Sequence, residues 1–165
     1  MKLLINLLYA VATLISYPSD KTKTMELADM KAEWHYDNEE ICIELTSPGD
    51  GWMAIGFNNK EGLVGSNLIM AAHINNKTTV EDQYVVALGQ HPKVSSLGGE
   101  SHIATAEIIK HAKGQNLSLR IKTNPEDDYH HSLEKNRRVY MTLAFSTSKD
   151  FNHHSLKRDS KWINL

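Results

Sequence analysis

Trp52-Met53-Ala54-Ile55-Gly56-Phe57 is an unbroken apolar run, and its reading decides the fold class. The run is too short for a buried helix. Turn chemistry encloses it, with Ser47-Pro48-Gly49-Asp50-Gly51 before and the polar stretch Asn58 to Gly65 after. A short apolar run between turn signals predicts a strand buried on both faces. Upstream, Ala32 to Tyr36 leads into the turn pair Asp37-Asn38, and Ile41 to Thr46 alternates apolar with polar. Downstream, Asn67 to Ile74 is again apolar and Asn75-Asn76 closes it; Thr78 to Val86 continues as a strand. Leu88 to Ser101 reads as a long ordered loop. Ile103 to Ile109 and Leu117 to Ile121 form a hairpin around Lys113-Gly114-Gln115-Asn116. Asn124 to Arg137 is polar and helical in part, Val139 to Phe145 is a core strand, and Ser155 to Leu165 is a closing edge strand. Eight or nine short strands with frequent turns predict an all-β antiparallel sandwich.

The chain has 165 residues, the length of one domain. Its 41% hydrophobic content is enough for a core, and its net charge of −2 leaves no basic excess for nucleic acid. A single cysteine excludes a disulfide framework, and Cys42, between Ile41 and Ile43, reads as a buried inert thiol. No GxGxxG, P-loop, HExxH or GxSxG motif occurs. Residues 1–19 carry Lys2 and then a mostly apolar run from Leu3 to Ile15, ended by Tyr17-Pro18-Ser19. That run is shorter than the roughly 20 residues that span a bilayer and fits the core of a signal peptide. The expectation is an exported protein, periplasmic or secreted, whose domain covers residues 25–165.

Gly51-Trp52-Met53-Ala54-Ile55-Gly56-Phe57-Asn58, followed by Gly62-Leu63-Val64-Gly65-Ser66-Asn67-Leu68, resembles the signature of DOMON domains. Val80-Glu81-Asp82-Gln83-Tyr84 resembles the family's acidic pair before an aromatic. Phe151-Asn152-His153-His154-Ser155 with Lys157-Arg158 is similar to its C-terminal aromatic-x-His and basic segment. The resemblance implies an immunoglobulin-like sandwich of about nine to eleven strands. It also implies an extracytoplasmic module that binds haem b or a sugar, or that serves beside a redox or membrane protein partner.

Haem-binding members use a Met and a His as axial ligands, which implies His153 or His154 here. The family's Met position falls on Leu63, which has no donor atom, so Met70 and Met53 are the substitutes; each also reads as core packing. The chain holds nine histidines, and imidazole ligates copper, zinc and iron alike, so His153 and His154 are metal candidates too. Adjacent on a strand, they are expected to point to opposite faces. His91, before Pro92 in the long loop, is a candidate ligand-binding residue. His130-His131, behind Glu126-Asp127-Asp128, reads as solvated surface. Trp34, Trp52 and Tyr84 are candidate platforms for a sugar ring, although Trp52 also reads as core. Glu81 and Asp82 face opposite sides of a strand and cannot flank one glycosidic bond. No catalytic constellation can be assembled, and the expectation is a non-enzymatic module. Three ligand readings stay open: haem b for electron transfer, a carbohydrate or other small ligand, and protein interaction without a small ligand.

Overall fold

The computed structural model describes residues 21–124 and 126–165. The expected signal peptide, residues 1–19, lies outside the described residues. The strands are β1 (Lys23–Leu27), β2 (Met30–Asp37), β3 (Glu40–Pro48), β4 (Met53–Asn58), β5 (Asn67–Ile74), β6 (Lys77–Tyr84), β7 (Ile103–His111), β8 (Gly114–Lys122), β9 (Arg138–Phe145) and β10 (Lys157–Asn164). They form two five-stranded sheets, in the orders β1-β2-β3-β8-β7 and β10-β9-β4-β5-β6. Every pairing is antiparallel. The antiparallel sandwich expected from the sequence is the fold.

Side-chain alternation places the core. On β3, Ile41, Ile43 and Leu45 point inward and sit opposite Ile121, Leu119 and Leu117 of β8, while Cys42 and Glu44 point outward. The second sheet differs because apolar side chains cover both of its faces. Met53, Ile55 and Phe57 of β4 enter the inter-sheet core with Ile69, Met141 and Leu143. Trp52, Ala54, Leu68, Met70, Ala72 and Ala144 form a separate cluster on the outer face. This double coverage is why Trp52 to Phe57 reads as unbroken. Paired turn residues reverse the chain where the sequence signals them: Asn38, Asn75 and Asn76 adopt φ of 56°, 49° and 60°.

Two expectations are corrected. β1 is an edge strand, starting at Lys23, that the strands read from Ala32 onward did not include. The segment 124–137 contains no helix among its described residues. The Asp127 carboxylate accepts the backbone N–H groups of Tyr129 (2.9 Å) and His130 (3.1 Å), a local turn that competes with helical pairing. Among the described residues, no helix is long and apolar enough to cross a membrane.

Candidate functional site

The outer apolar cluster of the second sheet is the floor of a cavity of about 390 Å³. Trp52, Ala54, Leu68 and Met70 supply the floor, and three connections supply the walls. Asn58 fixes the β4–β5 connection, since its side-chain amide donates to the carbonyls of Gly62 (3.0 Å) and Val64 (3.2 Å). Those bonds hold Leu63 against the cavity.

The β9–β10 connection is tied to Trp52. The Trp52 amide donates to the Ser148 carbonyl (2.7 Å), and its indole Nε1–H donates to the His153 carbonyl (3.2 Å). Ser146 Oγ donates to the His154 carbonyl at 3.0 Å. His153 and His154 therefore lie on an ordered turn and not on a strand, and both line the cavity with exposed rings. The expected division of the two between opposite faces does not arise, because strand alternation does not govern a turn.

His91 lines the cavity from the β6–β7 connection. Its Nδ1 lies 2.7 Å from Gln83 Oε1, and the Gln83 amide donates to Glu81 Oε2 at 2.8 Å. A carboxylate only accepts, so the Gln83 amide nitrogen must face Glu81 and its oxygen must accept from His91 Nδ1–H. That tautomer leaves the Nε2 lone pair of His91 available as a ligand.

The cavity brings Trp52, Met70, His91, His153 and His154 together with Leu63. The other candidates are elsewhere. Met53 is fully buried in the inter-sheet core, because it alternates with Ala54 and so faces away from the cavity. Trp34 is also enclosed in that core, at 4% exposure, and offers no surface for a sugar ring. Tyr84 packs edge-on against Tyr129, with ring centroids 5.5 Å apart, and does not line the cavity.

A second cluster is one that the sequence reading misplaced. His130, expected on the surface, is buried at 7% exposure between two carboxylates. Its Nε2 lies 3.1 Å from Asp82 Oδ2 and its Nδ1 lies 2.8 Å from Asp127 Oδ1. Asp82 also accepts from Asn67 Nδ2 (2.6 Å), Ser101 Oγ (3.0 Å) and the His102 amide (3.1 Å). The His102 ring stacks on His130 at 3.9 Å with an interplanar angle of 3°. Burial alone lowers the affinity of the His130 imidazole for its proton, but its hydrogen bonds to Asp82 and Asp127 outweigh burial and raise its pKa. Burial disfavours the charged Asp82 carboxylate, yet the hydrogen bond and charge of His130 bring its pKa below the ordinary value. For His102, burial and then the neighbouring His130 charge act together to lower the pKa. Asp82 shares the inward face of β6 with its partner Ile69, and a buried carboxylate needs a cation or donors. That demand was the one signal in the sequence, and it does not say which histidine answers it.

Solved structures that share the fold include two cytochrome domains. The cytochrome b domain of pyranose dehydrogenase from Coprinopsis cinerea superposes with a TM-score of 0.61 at 9% identity, covering 83% of this chain and 77% of that one. The cytochrome domain of Myriococcum thermophilum cellobiose dehydrogenase gives a TM-score of 0.53 at 10% identity, covering 87% and 81%. No curated protein sequence matches. The family profile of the DOMON domain matches residues 26–146, most of the chain, and with the two-sheet sandwich it makes this protein a member of the DOMON domain family.

Proposed function

We propose that the outer-face cavity binds haem b and that the protein is an exported electron carrier without catalytic activity of its own. The observation that carries this reading is the meeting of one thioether, Met70, and three imidazoles, His91, His153 and His154, over an apolar floor. That donor set fits an iron porphyrin: the floor suits the ring's apolar face, and imidazole with thioether is a known axial pair. His153 or His154 supplies one ligand. Met70, or His91 through Nε2, takes the place of the thioether that Leu63 cannot provide. Arg158 lines the same cavity and provides a cation for a carboxylate on the ligand's rim. Haem held there supplies one-electron transfer, and the similarity in fold to two cytochrome domains supports the same reading. Leu88 and Leu156, 74% and 66% exposed, offer apolar surface to a redox or membrane protein partner. The carbohydrate reading is weaker, since Trp34 and Tyr84 are removed from the cavity and the Trp52 indole N–H is committed to the His153 carbonyl.

Absorption spectra with added hemin, before and after dithionite, test the proposal. A Soret band with sharp reduced α and β bands is expected, and it should be abolished in one of His153→Ala and His154→Ala but not in both. A protein that stays colourless, or two variants that both keep full absorbance, would contradict the assignment.

A further inference from the structure

The cluster around His130 gathers three side chains that can ligate a metal, on the inward side of β6. One donor atom from each of His102, Asp127 and His130 lies within 4.8 Å of the other two. His130 Nδ1 is 2.8 Å from Asp127 Oδ1, and His102 Nε2 is 3.8 Å from Asp127 Oδ2. Two donors at zinc's bonding distance of about 2.0–2.1 Å and a tetrahedral angle are roughly 3.3 Å apart, so the observed separations bracket the requirement.

The surroundings agree. Asp82 takes the far nitrogen of His130, the carboxylate–histidine–metal arrangement in which an outer acid aims the ligating nitrogen at the ion. Asp82 is itself held by Asn67, Ser101 and the His102 amide. The His102 Nε2 faces Asp127 at 3.8 Å, too long for a hydrogen bond. Ligation would give that nitrogen a partner. The parallel stack of His102 on His130 keeps their lone pairs from converging, so His102, which no side-chain hydrogen bond restrains, must tilt. Two imidazoles and a carboxylate favour zinc over calcium or magnesium, which take sets of oxygens. The Asp127 side chain is 20% exposed and the His102 side chain 11%, leaving a path for the ion and a fourth position for water.

We propose that His102, Asp127 and His130 bind a zinc ion that pins the start of β7 to the β8–β9 connection, which His130 already ties to Asp82 of β6. The test is calorimetric titration of chelator-treated protein with zinc chloride, with thermal unfolding followed in parallel. One equivalent should bind and raise the unfolding midpoint by several degrees. His130→Ala strands two carboxylates and destabilises the fold for that reason alone, so His102→Ala and Asp127→Asn are the informative variants. Each should lower zinc affinity at least tenfold, while His153→Ala/His154→Ala should leave it unchanged. Absence of saturable zinc binding, undiminished affinity in His102→Ala, or loss of binding in the His153/His154 variant would each overturn the site.

Discussion

Leu63 is the residue on which the ligand reading turns. The Asn58 amide holds its loop in place, so a side chain at position 63 is already aimed at the cavity. Leu63→Met should therefore supply a thioether without rebuilding the loop. Met/His ligation raises the potential of a haem. Redox titration of hemin-loaded Leu63→Met should give a midpoint above that of the wild type, and an unchanged midpoint would show that position 63 does not reach the iron. Cys42 illustrates a second residue-scale consequence. Burial first, opposed by the nearby Arg120 charge, raises its thiol pKa above the ordinary 9.0. The reactive thiolate is thus scarce at neutral pH and gains only as pH passes that value. Cys42 is half-buried on the outward face of β3, not enclosed in the core as the sequence suggested. Alkylation at pH 7 should be slowed but not blocked; a rate equal to that of a free cysteine would contradict the raised pKa. His130 shows where reading by residue fails. Its neighbours Asp127, Asp128 and Tyr129 describe a polar loop, and only the inward turn of Asp82, 48 residues upstream, gives it a buried carboxylate partner.

At the scale of the element, the strands were legible because period-2 alternation and turn residues act locally. Asn67 to Ile74 has the bounds expected, and Asn75-Asn76 turns where those side chains tolerate left-handed backbone. The loop at 124–137, where a partial helix was expected, was not legible, since a carboxylate capping two amides from position 127 looks in sequence like any acidic run. The strand–loop junction at Gly51 is the element most exposed to substitution. A Cβ there would collide with the Ser146 carbonyl oxygen, next to the bond from the Ser146 amide to the Trp52 carbonyl that ties β9 to β4. Gly51→Ala should cost about 2 kcal/mol or more, the scale of forced overpacking. Urea denaturation measures it, and a loss below about 0.5 kcal/mol, the scale of an ordinary surface change, would refute the close approach.

For the whole molecule, one sheet divides the labour: its inner face makes the fold and its outer face makes the site. Adjacent residues on β4 separate the two roles. Ile55 is fully buried between the sheets, and Ile55→Ala should cost about 2–5 kcal/mol while leaving hemin affinity unchanged wherever the domain is folded. Ala54 is on the cavity floor, and Ala54→Phe should fill the space and abolish hemin binding at a smaller cost in stability. The sandwich and the family resemblance were readable from the order of motifs. Which candidates meet in space was not, because Met53 and Met70, or Trp34 and Trp52, differ only in the face they take. Haem binding in the outer-face cavity is measured most directly by a hemin titration of wild type and Ala54→Phe, read at the Soret band. Saturation at one equivalent is expected in the wild type and no saturable band in the variant; equal binding by both would place the ligand elsewhere and contradict haem binding in this cavity.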